Sequence, residues 1–591
     1  MLKNLCTAAI AALLLPTVTS AQDSDLQVDL FSQSVEVRVV NVDVHVTDKK
    51  GRPVTGLTQD DFVLTEDGQP AAISYFYSSQ GEALTSKPDE PREIPTFATR
   101  AEDLVVVIYV DNYWLTPQER KRVLDDIERF VEAHPPGRTR FLLVTHDSGI
   151  QIRTPLTTNP QPVLTALAEL PGEPAQGLRG PRARSAFFDS IRSIWDSYSG
   201  LGANVGALAG ADDGSSGGGG AEAGFTQPGL CQPCDCGWQQ MLSVWEAYAV
   251  DIGRGIQVAD GGLRELLSAL AGLPDRKAVL YVGSGIEQRP GLDILQYLIE
   301  LCPNRQPELA YYAQRYDESR TLLDLGAVAN SSRATLYPLD AGGLRADSVA
   351  AVDIADAELR PSSLISQIER ANLQASFQIL ASATGGRAIL NANQPFEELL
   401  DLESDFEHVY SLGFEPPGEA DGRVHQLRVK LADKKKTKGM NMRFRRSYVD
   451  KPLEQRLVDR AIATMAFGAA TNPLGVEATL GVTETLSKDA INIPIHIAVT
   501  KDNLALIPSS TGEISGQFRV FLAARSVDGQ RTILREKFFR VSPTESGDGF
   551  ERVTINMRLE PDDYTIGVGV RDEIGTETSY LALKAASTPV G

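Results

Sequence analysis

The sequence predicts a multidomain chain: a central doubly wound, Rossmann-like α/β domain between a small N-terminal β unit and a C-terminal β-sandwich. Three observations predict it. Residues 104–110, Leu-Val-Val-Val-Ile-Tyr-Val, form a short unbroken apolar run that stops at Asp111, the pattern of a strand buried on both faces of a parallel sheet. Between residues 103 and 415 such runs alternate with helical periodicity, as βα units do. On either side the pattern has period two, with turn residues between short runs. At 591 residues the chain is also too long for one hydrophobic core.

In chain order, residues 1–21 have the form of a cleaved secretory signal. Lys3 supplies charge, residues 5–15 are apolar, and Thr19-Ser20-Ala21 precede Gln22. Cys6 lies too early in that run to be a lipid-attachment site, and no later run is long enough to cross a membrane. A periplasmic or released protein is expected. Residues 22–80 read as an antiparallel β unit. Val35, Val37 and Val39, then Val42, Val44 and Val46, alternate, and strands over 62–64 and 73–77 flank the turn Glu66-Asp67-Gly68. Residues 81–102 hold Pro88, Pro91 and Pro95 and read as a linker.

In the α/β domain the Asp111 strand leads into Thr116-Pro117-Gln118-Glu119, a helix start with a cap, a first-turn proline and an acid. Further strands are expected at 140–145, 150–153, 277–282, 334–339 and 409–414, and helices at 162–170, 184–198, 262–271, 319–330, 364–384 and 396–406. An insertion at 171–260 interrupts the pattern. Its stretch 200–224 is rich in Gly, Ala and Ser, a composition that buries too little apolar surface to order itself. Cys231, Cys234 and Cys236 follow, and Cys302 completes four cysteines beyond the signal. In an oxidising compartment these form two disulfides, with three pairings open. Residues 416–450 read as a β-ribbon turning at Lys434-Lys435-Lys436. Residues 451–591 read as an immunoglobulin-like sandwich with strands near 491–499, 517–524, 532–540, 552–559 and 564–570.

The formal net charge of −21 argues against binding nucleic-acid backbone or anionic membranes. The six histidines are scattered and form no zinc-type pair. Gly283-Ser284-Gly285 lacks the flanking glycines of a nucleophile elbow, and Gly217–Gly220 is not followed by the Lys-Ser or Lys-Thr of a phosphate loop.

Several local motifs, in order, resemble a von Willebrand factor A-type domain, and most closely the VWFA-related family typical of acidobacterial proteins. They are the Asp111 strand, Arg184-Ser185-Ala186-Phe187-Phe188-Asp189, Lys277 to Gly285, Leu336-Tyr337-Pro338-Leu339-Asp340-Ala341, and Thr384-Gly385-Gly386-Arg387 followed by Tyr410-Ser411-Leu412-Gly413-Phe414. Val54-Thr55-Gly56-Leu57-Thr58 and Asp61-Phe62 are similar to that family's N-terminal segment. The resemblance spans roughly residues 30–450.

It implies a metal-ion-dependent adhesion site, where Mg²⁺ takes oxygen ligands. Asp111 matches the first ligand, Ser185 stands at the threonine position and Ser284 at the second aspartate position, but Tyr113 and Leu115 occupy the two serine positions. The site is degenerate: Mg²⁺ is weakly supported, no other cofactor is expected, and Asp111 reads better as a structural carboxylate. Asp340, at another strand end, is expected to fix its own loop. The candidate binding residues are therefore Asp111, Ser185, Ser284 and Asp340. The expected function is a non-enzymatic, adhesion-type interaction with a protein partner of unknown identity. The alternatives are a hydrolase in which Asp111, Asp340 and Ser284 converge, and a structural envelope scaffold.

Overall fold

The computed structural model describes residues 38–78, 104–134, 136–137, 139–174, 177, 179–209, 232–344, 362–433, 438–508, 514–526, 532–542 and 549–586. The expected signal peptide, the linker 81–102, the Gly-rich residues 210–230, Cys231 and the lysine turn at 434–436 lie outside them. The chain is multidomain in composition, with a mixed α/β region and two β-rich regions.

The first strands are β1 (Val40–Thr47), β2 (Phe62–Glu66), β3 (Gln69–Ala71) and β4 (Tyr75–Ser78). The α/β region then runs β5 (Leu104–Asp111), α1 (Pro117–Ala133), β6 (Thr139–His146), β7 (Ile150–Ile152), α2 (Gln161–Glu169), α3 (Arg179–Ala209), α4 (Pro233–Cys236), α5 (Trp238–Leu270), β8 (Arg276–Gly283), α6 (Leu292–Leu301), α7 (Gln306–Arg315), α8 (Ser319–Ser331), β9 (Ala334–Asp340), α9 (Ser363–Thr384) and α10 (Phe396–Glu407). Its sheet has the order β7-β6-β5-β8-β9, parallel except for β7 at one edge.

The central strand is buried on both faces, as its apolar run requires. Val105, Val107 and Tyr109 enter one core with α5, while Val106, Ile108 and Val110 enter the opposite core with α1. The carboxyl ends of β5, β6, β8 and β9 share one edge of this sheet, where open α/β sheets place their ligand sites.

Strand β10 (Tyr410–Phe414) corrects the sequence reading. It was expected to complete the α/β sheet but lies between β1 and β4 in an antiparallel sheet of order β12-β1-β10-β4, with β12 (Asn441–Phe444) at the edge. β11 (Val424–Leu431) and β13 (Ser447–Val449) join β2 and β3 in a second sheet. The two sheets enclose one core, including Val42, Val44, Phe62, Leu64, Tyr410, Leu412, Phe414 and Val429. Tyr410, Leu412 and Phe414 alternate with Ser411 and Gly413, the period of a strand buried on one face. The N-terminal unit and the expected ribbon 416–450 are thus halves of one β region, with the α/β region between them in sequence.

The insertion differs too. α3 continues to Ala209, and α5 is a single helix of 33 residues where only 262–271 had been expected. Trp238, Met241, Trp245, Ala249, Ile252, Ile256, Ala259, Leu263 and Leu266 carry its buried face, at helical spacing. A Cys234–Cys302 disulfide, 68 residues apart, ties α4 to the end of α6, and Cys236 is disulfide-bonded as well.

α11 (Leu453–Phe467) opens the C-terminal region, where only strands had been expected. β14 (Glu477–Leu480), β15 (Glu484–Ser487), β16 (Ala490–Thr500) and β20 (Phe550–Leu559) form one sheet. β17 (Ile507–Pro508), β18 (Ile514–Ser526), β19 (Thr532–Val541), β21 (Tyr564–Asp572) and β22 (Thr578–Ala585) form the other, and both sheets share one core. No helix among the described residues is long and apolar enough to cross a membrane.

Candidate functional site

At the carboxyl end of β5, Asp111 is fully buried. Its Oδ2 accepts from the Tyr281 hydroxyl at 2.9 Å, and its Oδ1 accepts from His146 Nδ1 and the Tyr113 backbone N–H, both at 3.2 Å. Strand register brings His146 opposite Asp111 on β6, and Tyr281 opposite Tyr109 on β8. Tyr109 packs its ring 5.6 Å from Tyr281 and 6.0 Å from His146, and its buried hydroxyl has no hydrogen-bond partner among the described residues. Burial, with the Asp111 charge beside it, pushes both tyrosine hydroxyls well above the ordinary tyrosine range.

Helix α5 closes this network from solvent. A methyl group added at Gly262 would come within 2.4 Å of the His146 ring, and one at Gly255 within 2.7 Å of the Trp114 ring. These two glycines let the helix backbone approach the strand ends.

Ser284 follows β8. Its hydroxyl lies 2.9 Å from Glu119 Oε2 and 3.2 Å from the Trp114 carbonyl oxygen. That same Glu119 oxygen accepts from the backbone N–H and hydroxyl of Thr116, at 3.0 and 2.9 Å, closing the capping box of α1. Asp340 is 2% exposed; its Oδ1 accepts from the Gly342 N–H at 2.9 Å and its Oδ2 from Gln374 Nε2 at 3.4 Å. Ser185 is exposed on α3, whereas Asp111 is fully buried.

These residues do not fit a hard divalent ion. Such an ion needs several oxygen ligands with free lone pairs in near-octahedral array. Both Asp111 oxygens already accept protein hydrogen bonds, Ser284 donates into a helix cap, and Tyr113 and Leu115 fill the remaining ligand positions. No group of three or more His, Cys, Asp or Glu suited to a metal occurs among the described residues.

A second polar cluster at this edge went unread in the sequence. Glu287 sits in the loop after β8, Asp293 in the first turn of α6, Glu369 on α9, Arg184 on α3 and Tyr248 on α5. Arg184 pairs with Asp293 and lies 3.3 Å from Glu369. Glu287 accepts from the Gly291 N–H at 2.6 Å and from the Tyr248 hydroxyl at 3.3 Å. Burial, and then the Asp293 charge, pushes Glu287 up to about 8. Burial raises Asp293 despite the facing Arg184. Glu287 therefore holds a proton at neutral pH, and the cluster ties α3, α6, α9 and the loop after β8 together around the edge. Its sequence signal is modest: Glu287 and Asp293 flank Pro290-Gly291 directly after Gly283-Ser284-Gly285.

No family model matches the chain, and no curated protein matches it. Among solved structures it is similar to the conserved hypothetical protein BatB from Bacteroides thetaiotaomicron, at 10% identity over 51% of this chain and 97% of that one, with a TM-score of 0.20. It is also similar to three N-terminal domains of the type V pili tip protein Mfa5 from Porphyromonas gingivalis, at 9% identity over 93% and 78%, with a TM-score of 0.25. A glycosyl hydrolase family 2 member from Bacteroides cellulosilyticus matches at 8% identity and a TM-score of 0.14; 30% of this chain is covered and only 20% of that one. At these TM-scores the likenesses carry no argument about fold or activity.

Proposed function

We propose that the chain is an exported, non-enzymatic protein-interaction protein. Its α/β region is a von Willebrand factor A-like core whose adhesion-site aspartate has become a structural strut, and its C-terminal sheets act as an immunoglobulin-like sandwich. The sheet order β7-β6-β5-β8-β9, with its antiparallel edge strand, supports the core assignment. The Cys234–Cys302 disulfide suits an oxidising compartment. The observation that carries the reading is the restraint of Asp111: its two oxygens accept three hydrogen bonds, from Tyr281, His146 and Tyr113, beneath α5.

The hydrolase alternative has less support. A serine nucleophile needs a base oriented to take its proton, and the acceptor at Ser284 is the carboxylate of a helix cap. The interaction reading is tested on the mature protein by proximity cross-linking on intact producing cells, beside a panel of chromogenic ester, glycoside and peptide substrates. A reproducible protein adduct with no turnover is expected. Turnover abolished by Ser284→Ala would overturn it.

A further inference from the structure

A cleft away from the strand-end site lies between the last turns of α9 and the edge strand β12, with a volume of about 320 Å³, within the roughly 300–1,000 Å³ typical of ligand pockets. One wall is a single helix face: Gln378, Ala381, Ser382 and Gly385 follow at helical spacing. The other is a strand edge, because Met442, Arg443 and Phe444 all line the cleft although consecutive strand residues point to opposite faces. β12 pairs only with β1 among the described residues, and its Met442 and Arg443 border the cleft beside the point where Gly385 packs on the Phe444 backbone. Gly385 sets this geometry: its φ is +82°, and a methyl there would meet the Phe444 backbone at 2.6 Å.

In a chain of net charge −21 this cleft is basic, lined by Arg387, Arg443 and Arg446. Arg443 is committed to Asp405 at 2.5 Å. Arg446 is exposed and uses its Nε toward the Ser382 carbonyl at 3.2 Å. Arg387 reaches Asp401 only at 3.7 Å, and its buried Nη2 has no hydrogen-bond partner among the described residues. Arg446 is exposed and the Arg387 side chain is 36% exposed, so both guanidinium groups border the apolar lining of Ala388, Leu390, Met442 and Phe444, although Arg387 Nη2 itself is closed off from solvent.

We propose that this cleft binds an extended, acidic peptide segment of a partner protein. The segment adds to the edge of β12 through backbone hydrogen bonds, sets alternate carboxylates against Arg387 and Arg446, and turns small apolar side chains to the lining. Strand addition to an open edge supplies the register, and guanidinium–carboxylate pairs supply the selectivity.

The test is fluorescence anisotropy of the full mature protein with a labelled hexapeptide alternating Val and Glu, its Val-Gln counterpart, and polygalacturonate as an acidic polysaccharide. Arg446→Glu, at an exposed position, and Arg387→Gln are compared with wild type, with circular dichroism confirming folding. The Val-Glu peptide should bind, weaken roughly tenfold in each variant, which is the loss of about 1.4 kcal/mol, and weaken further with salt. The Val-Gln peptide should bind at least tenfold more weakly than the acidic one. The proposal is overturned if the acidic peptide does not bind, if it binds Arg446→Glu unchanged, or if polygalacturonate binds more tightly than the peptide. Because the cleft is remote from Asp111 and Ser284, these outcomes are independent of the cross-linking and turnover results.

Discussion

Replacing Glu287 by Gln should flatten the pH dependence of stability. In the folded chain burial and the Asp293 charge push Glu287 up to about 8, against 4.5 ordinarily. Between these values the folded state holds a proton that the unfolded state has released. The contribution is therefore fully present below pH 4.5 and is lost as pH rises toward 8. One retained proton corresponds to about 1.4 kcal/mol per pH unit. Gln mimics the protonated acid and removes this term, while Asp293, Glu369, Arg184 and Tyr248 stay in place. The assay is urea unfolding at pH 5, 6, 7 and 8. Trp245 fluorescence is a local reporter, since its Nε1 donates to the Gly291 carbonyl at 2.9 Å. Wild type should lose stability relative to Glu287→Gln at each step upward. Parallel profiles would refute the assignment of a proton-holding cluster.

Other outcomes follow from the same geometry. Tyr281→Phe removes one donor from the buried Asp111 carboxylate and should cost about 2 kcal/mol, read by the same unfolding assay. Gly262→Ala forces a methyl to within 2.4 Å of the His146 ring and should cost about 1–3 kcal/mol; an equally stable variant would show that α5 does not seal the strand ends. Cys302→Ser opens the disulfide spanning 68 residues and should cost about 4 kcal/mol by loop entropy, read by the same unfolding assay; full reduction of wild type, which also opens the Cys236 disulfide, should cost at least as much.

The sequence made the central sheet legible because β5 and its neighbours carry unbroken apolar runs that only burial on two faces explains. The capping box at Thr116 and Glu119 was legible for the same local reason. The place of β10 was not, because pairing across more than three hundred residues with β1 leaves only a faint trace: the alternation of Tyr410, Leu412 and Phe414. Helix α5 was obscured by Gly253, Gly255 and Gly261, which break the helical pattern ahead of the expected start at Gly262, yet Gly255 and Gly262 serve close packing against Trp114 and His146. At the site, Asp111 stood out as an acid ending an apolar strand. Its partners His146 and Tyr281 did not, since each lies on a different strand and only sheet register brings them together. The Arg184, Glu287 and Asp293 cluster was hidden likewise, assembled from three separate elements.

Asp111 acts as a strut and not as a metal ligand in the function proposed above. Calorimetric titration of the mature protein with Mg²⁺, Mn²⁺ and Ca²⁺, beside Asp111→Asn, tests this directly. Wild type should give no binding heat and no thermal shift with any of the three ions, and Asp111→Asn should differ only by lower stability. Cation binding that Asp111→Asn abolishes would contradict it.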